Sequence, residues 1–258
     1  KDMAQVYTGE NWETFGELKI ASTLRNGLGV ANSELLASVI RRYAPLEVLN
    51  QIGLQHMRGR RLQVGTTNIE SGRQVIWDIG EIALSNRPDR LELFHKVLLA
   101  SAAIPGVFPP SEFRVTVDGA TYREIHVDGG VSSQVFTYPA AISQSQRPNQ
   151  RHLNSNLRLW VIRNGKLSPT FAKSDGGLTD VSAKALGILT RTQGIGDLYR
   201  IHNQAQRDKA DFNLVYIPDN FNEPLDKRFA RSYMNSLFNV GLWLGRQNFR
   251  WAKFPPAY

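Results

Sequence analysis

The chain has 258 residues, with 31 lysines and arginines against 23 aspartates and glutamates, a formal net charge of +8. Hydrophobic residues make up 41% and charged residues 21%, which excludes collagen-like, disordered and coiled-coil architectures and leaves ample apolar material for a core. There is no cysteine, so disulfides, thiolate metal sites and a cysteine nucleophile are excluded too.

In chain order, Lys1-Asp2-Met3-Ala4 lacks the charged, apolar, small-residue succession of a signal peptide. Residues 1–57 read as mostly helical. Ser33 is placed to cap a helix with Leu35, Leu36, Val39 and Ile40 on one face, and Pro45 to start another with Leu46, Val48, Leu49 and Ile52. The period then changes. Residues 62–68 read as a strand, 70–73 as a turn and 74–79 as a returning strand. Pro88 opens a helix on Leu91, Phe94, Val97 and Leu98, which runs into a small-residue, proline-rich segment ending at Pro110. The longest apolar stretch, around residues 97–108, contains a proline and is too short to span a bilayer.

Asp118-Gly119 between two apolar runs predicts a tight hairpin over 113–127. A polar, exposed loop is expected at 145–155, and strands at 157–162 and 212–217. The helix between them, 179–210, is expected to break near Gly194-Ile195-Gly196. A last helix over 226–250 carries Phe229, Tyr233, Leu237, Val240 and Leu244 on one stripe. No repeat, low-complexity tract or linker appears. Strands alternating with helices predict an α/β fold.

The catalytic motifs that are missing narrow the chemistry. The chain has no Gly-x-Ser-x-Gly, no P-loop, no HExxH and no strand-bound GxGxxG. Its histidines, His56, His95, His126, His152 and His202, are dispersed without ligand spacing, so no metal site is expected. Two Asp-Gly pairs remain. The first is explained by the hairpin. The second, Asp128-Gly129-Gly130, ends the strand Arg123-Glu124-Ile125-His126-Val127. A carboxylate at a strand's carboxyl end sits where α/β folds place their sites, and two glycines allow close approach of backbone or substrate. A simple strand-ending turn accounts for the same local pattern.

The wider context decides between them. Ala100-Ser101-Ala102-Ala103-Ile104-Pro105-Gly106-Val107-Phe108-Pro109-Pro110 is followed by His126-Val127-Asp128-Gly129-Gly130-Val131. With Gly59-Arg60-Arg61-Leu62-Gln63-Val64-Gly65-Thr66-Thr67 and Val75-Ile76-Trp77-Asp78-Ile79-Gly80, this order resembles bacterial members of the patatin-like phospholipase family. The resemblance is strong over residues 58–139 and weak elsewhere. It implies an α/β three-layer fold, a central mixed sheet flanked by helices, with residues 1–258 forming one partial domain. It implies a serine–aspartate dyad that hydrolyses acyl esters without metal or cofactor. Asp128 is then the general base and Gly129 and Gly130 let its loop pass close to the serine elbow. Ser101 belongs to the segment that lines the site, and His126, on the same strand face as Asp128, either tunes the site or packs as a structural histidine.

This chain departs from the family pattern in one respect. The family's glycine-rich loop and Gly-x-Ser-x-Gly precede the region resembled here, so they are expected upstream of Lys1. On that reading the fold is truncated at its amino end and the fragment alone is inactive. Ser132 and Ser133 lack an elbow and adjoin the proposed base. Thr66 and Thr67 are polar residues near the site that sheet propensity also explains.

The positive charge is scattered and shows no zinc-finger or RNP-type pattern, so nucleic acid is not an expected partner. Trp243, Phe249, Trp251 and Phe254, interleaved with Arg246, Arg250 and Lys253, suit a peripheral membrane contact as well as a core-facing helix. The expected substrate is a lipid or other acyl ester, in a cell-envelope or secreted setting. The alternative is a non-catalytic binding or scaffold module on a hydrolase-derived fold.

Overall fold

Proline and glycine set the boundaries of the first elements in a computed structural model that describes residues 8–9, 33–137, 157–171, 173–224, 230–247 and 249–256. Helix α1 is Ser33–Tyr43 and α2 is Leu46–Met57, with Pro45 at the α2 N-cap, where its missing N–H costs nothing. Val39 of α1 packs in a small cluster with Ala103, Val107 and Phe108, and Leu35 and Leu36 lie against it. Strands β1, Gln63–Asn68, and β2, Arg73–Asp78, pair antiparallel from Gln63↔Asp78 to Asn68↔Arg73. Asn68 closes their turn: its Oδ1 accepts from the backbone N–H of Glu70 and of Ser71, both at 3.0 Å.

Ile79 is not strand, as its alternation predicts, but the first residue of helix α3, Ile79–Leu84. Asp78 explains the switch. Its Oδ1 accepts from Gly80 N at 2.9 Å and Glu81 N at 3.3 Å, which satisfies two orphan donors of the new helix. Helix α4, Arg90–Ser101, begins just after Pro88 and buries Phe94, Val97 and Ala100. Strands β3, Ser111–Val117, and β4, Ala120–Asp128, meet at the expected hairpin. Asp118 and Gly119 both have positive φ, 50° and 80°, as a type I′ turn requires.

Two compact units divide the chain, residues 1–132 with 225–234 and residues 133–224 with 235–258. In the first, the four strands form one antiparallel sheet in the order β2-β1-β4-β3. Its main core gathers Leu49, Ile79, Phe94, Val97 and Phe113 from the helices and the sheet. In the second, β5, Arg158–Arg163, pairs parallel with β6, Asp211–Tyr216. Helix α5, Leu178–Arg207, makes the crossover that parallel strands need. The chain is therefore α/β, as expected. Antiparallel and parallel pairing are both present, but among the described residues they are divided between two sheets rather than joined in a single central one.

Helix α5 does not break at Gly194-Ile195-Gly196; it continues for 30 residues. Ile195, Leu198, Ile201 and Ala205 bury one stripe of it against Val161, Phe212 and Leu214, and that packing outweighs the helix cost of two glycines. Gly194 has a packing reason, since an added Cβ would stand 2.3 Å from Arg163 Nη1. Gly196 has none, with no atom within 4 Å of an added Cβ. Gly196→Ala is therefore expected to stabilise the protein by about 1 kcal/mol, read from urea denaturation. A loss of stability would mean that α5 does not run through this point.

Helix α6 is Arg231–Arg246. The expected loop at 145–155, and Phe229 of the apolar stripe, lie outside the described residues. Tyr233, Leu237, Val240 and Leu244 are half-buried, no residue of α6 is fully buried, and Trp243 is exposed. The stripe therefore does not make α6 an ordinary core helix. Among the described residues, no helix is long and apolar enough to cross a membrane.

Candidate active site

Strand β4 carries Asp128 to its carboxyl end, where the chain turns into the short 3-10 segment Gly129–Val131. Three contacts hold the backbone there. The Asp128 N–H donates to Ala103 O at 3.0 Å, in the small-residue segment after α4. Strand β1 pairs with β4 through Thr66↔Asp128, Thr67↔Val127 and Asn68↔His126. The Thr67 hydroxyl donates to Asp128 O at 3.0 Å, and Ser132 Oγ lies 2.8 Å from Thr67 Oγ1. A hydroxyl has one proton, so with Thr67 donating to Asp128 O, the Ser132 hydroxyl is the donor to Thr67.

Gly129 is fixed by a close approach. A Cβ there would stand 2.5 Å from Gly65 O and 2.7 Å from Gly65 C, backbone atoms of β1. Gly65 O in turn accepts from Ser101 Oγ at 2.8 Å. Ser101, Gly65 and Gly129 thus form one packed contact beside the Asp128 loop.

The Asp128 carboxylate accepts from Gly130 N at 2.7 Å. Partial burial raises its pKa above the ordinary carboxylate range, and the Gly130 hydrogen bond opposes this. A carboxyl shifted upward, at a strand end and beside a glycine turn, is chemically suited to take a proton from a neighbouring hydroxyl.

His126 is fully buried. Trp77 Nε1 donates to Thr66 Oγ1 at 2.8 Å, Thr66 Oγ1 lies 2.9 Å from His126 Nδ1, and His126 Nε2 lies 3.0 Å from Glu124 Oε2. A neutral imidazole protonated at Nε2 satisfies all three contacts. The ring also packs against Phe113, tilted by 57° with 4.7 Å between centroids. These partners place His126 in a sheet-spanning network under the site, without a hydrogen bond to the Asp128 carboxylate among the described residues.

Ser132 and Ser133 are likewise spoken for. Ser132 Oγ contacts Thr67 and Gly129 O, while Ser133 Oγ lies 2.9 Å from Val135 O and 3.2 Å from Asp197 Oδ2. Gly65 and Trp77 are the residues that sequence reasoning missed. A glycine inside a strand, Val64-Gly65-Thr66, is a signal of close backbone approach and marks the first of them. Thr67→Val would leave Asp128 O without its side-chain donor and is expected to cost about 1–2 kcal/mol. The check is urea denaturation alongside Thr67→Ser, which keeps the hydroxyl and should lose less.

One metal-competent group does arise. His56 of α2, Asp78 and Glu81 bring three ligand atoms within 4.8 Å of one another, a grouping that spacing between histidines does not reveal. His56 Nε2 lies 3.0 Å from Glu81 Oε1 and Nδ1 lies 3.3 Å from Asp78 Oδ1. The cluster is crowded. Asp78 Oδ1 is already the α3 cap, Arg61 Nε lies 4.0 Å from Asp78 Oδ2, and a Cβ on Gly80 would stand 1.9 Å from His56 Nδ1. As it stands it is a set of close polar contacts between α2 and the start of α3.

Comparison with known proteins bears on the unit that holds Asp128. The family model for patatin-like phospholipases matches residues 2–141, more than half of the chain. No curated protein matches the chain. The matched span takes in α1 to α4 and the antiparallel sheet and runs past Asp128-Gly129-Gly130. The chain belongs to the patatin-like phospholipase family, a family of lipid hydrolases.

Proposed function

We propose that the protein hydrolyses the acyl ester of a lipid through a serine–aspartate dyad, with Asp128 as the general base. The observation that carries this is the Asp128 carboxyl, set at the end of β4, held by Gly130 N and shifted upward by burial. No Gly-x-Ser-x-Gly occurs in these 258 residues, so the reading places the nucleophilic serine upstream of them and takes residues 1–258 as one partial domain, inactive alone.

The steps balance without a cofactor. The serine Oγ attacks the ester carbonyl while its proton passes to Asp128. Collapse of the tetrahedral adduct breaks the ester C–O bond, and Asp128 returns the proton to the leaving alkoxide. Asp128 then takes a proton from water as that oxygen attacks the acyl-serine; collapse of the second adduct breaks the acyl C–Oγ bond, Asp128 returns the proton to the serine Oγ, and the fatty acid leaves. Trp243 and Phe254, both exposed, support a peripheral contact with the lipid surface.

A fluorophosphonate probe, which labels activated serines, tests where the nucleophile lies. Label is expected on a protein that carries the upstream Gly-x-Ser-x-Gly and not on the 258-residue chain by itself. Label on a serine of the 258-residue chain would overturn the placement. A fully extended protein that neither labels nor hydrolyses esters would favour the binding-module alternative.

A further inference from the structure

In the second unit, β5 and β6 run parallel and both end on the same edge, at Arg163 and Tyr216. The carboxyl ends of parallel strands are where α/β folds leave a crevice. Here a cleft of about 420 Å³ lies at the carboxyl end of β5. Arg163 and Asn164 reach it from the end of β5, Thr190 and Arg191 from α5, and Gln134 from the segment after the first unit. Its lining has two guanidinium groups, amides and a hydroxyl, and no carboxylate among the described residues.

Arg163 is built in, not merely near. Its side chain lies close against Gly194 and within ordinary contact range of Gly165. A Cβ on Gly194 would stand 2.3 Å from its Nη1 and 2.5 Å from its Cζ, and one on Gly165 would stand 3.8 Å from its Nε. Gly194 thus leaves the guanidinium space that a side chain there would fill. Arg191 lies four residues after Gly187 and three before Gly194, so all three share the face of α5 that meets the cleft. It pairs with no carboxylate among the described residues. Ile162, an exposed apolar residue, forms part of the rim.

We propose that this cleft binds a phosphate-bearing anion, gripped by Arg163 and Arg191. Guanidinium forks match the geometry of phosphate oxygens, and the neutral donors of Asn164, Thr190 and Gln134 complete a shell that a dianionic phosphomonoester fills. The volume exceeds that of inorganic phosphate and leaves room for an organic substituent. The proposal concerns binding alone and stands whether or not Asp128 is a base.

The test uses the full 258-residue chain and follows amide resonances of Gly165, Gly187 and Thr190 during titration with inorganic phosphate. Sedimentation with phosphatidylcholine vesicles, with and without phosphatidic acid, forms the second arm. Saturable shifts at these amides are expected, weakened about tenfold or more by Arg191→Gln and by Arg163→Gln. Gly194→Ala keeps every charge and suits a helix, yet displaces the Arg163 guanidinium, and it is expected to weaken binding as well. Arg114→Gln, on exposed β3, removes the same charge elsewhere and should leave affinity unchanged.

Phosphate binding with equal sedimentation on both vesicle types identifies a soluble phosphate ester. Sedimentation that needs phosphatidic acid and is lost in Arg191→Gln identifies a lipid headgroup. Binding in neither arm overturns the proposal. So does binding that Arg114→Gln weakens as much as Arg191→Gln, or that Gly194→Ala and Arg163→Gln leave untouched.

Discussion

Asp128→Asn, made in the protein with its nucleophile segment, is expected to lower ester turnover about a hundred- to ten-thousandfold while leaving the fold intact. Asn keeps the size of Asp and an oxygen for the Gly130 N–H, so the 3-10 turn survives. What it loses is the capacity to accept the serine proton. Stability should not fall, for a reason of sign. Burial raises the folded-state pKa of Asp128, so the folded protein disfavours the carboxylate. Between the unfolded and the raised folded value the native state holds more proton than the unfolded one, and stability declines as pH rises through that window. At neutral pH the ionised Asp128 is a destabilising group, and Asn removes that burden. The melting temperature at pH 7 is therefore expected to stay level or rise, and the pH-dependent decline above the usual carboxylate range should shrink. In the unmodified enzyme the acidic limb of kcat/KM should fall at a pH above the ordinary aspartate value. Turnover retained in Asp128→Asn would remove Asp128 from the base role; turnover lost together with the fold would show a structural role instead.

The features legible in the sequence are those fixed by a few adjacent residues. Asp118-Gly119 forces positive φ at two positions, and the hairpin followed. Pro45 and Pro88 set helix starts because a proline nitrogen is tolerated there and not further in. Asp128-Gly129-Gly130 stands out because a strand, a carboxylate and two glycines fall side by side. The errors come from competition between signals. Asp78 and Glu81, three apart, form an N-terminal helix signature, but the apolar run Val75-Ile76-Trp77 masks it, and Ile79, the first residue of α3, reads as strand. Gly194 and Gly196 read as a helix break, although the first only makes room for Arg163. The surroundings of Asp128 were legible only in part: Ser101, Thr66 and Thr67 stand out near the site, but not the atoms they touch. Thr67, Gly65 and Ser101 reach its loop across separations of up to about sixty residues, set by pairing of β1 with β4. The same holds for Arg163 and Arg191, which only the β5-α5-β6 crossover brings to one cleft.

Gly129→Ala tests the closest of these tertiary contacts and is expected to cost about 3 kcal/mol. Three glycines of this chain tolerate alanine to different degrees, and the differences set the expectation. At Gly119 the obstacle is local: φ of 80° strains any L-residue, with open space around it, so the cost of alanine is about 1 kcal/mol. At Gly196 neither strain nor crowding exists, and alanine stabilises. At Gly129 the φ is unexceptional, but the added methyl meets the Gly65 carbonyl at 2.5 Å. That carbonyl belongs to β1, which lies between β2 and β4 in the four-stranded sheet, so it has no room to retreat. Relief must come from the loop, which moves Asp128 and strains the Thr67 and Ala103 hydrogen bonds that hold it. The variant should thus lose stability and, in an active protein, turnover together. Urea denaturation of the 258-residue chain reads the first effect without any catalysis. Full stability in Gly129→Ala would show that the loop is not packed on β1. A loss no larger than that of Gly119→Ala would show that it yields cheaply, and that Gly129 serves the substrate's approach rather than the fold.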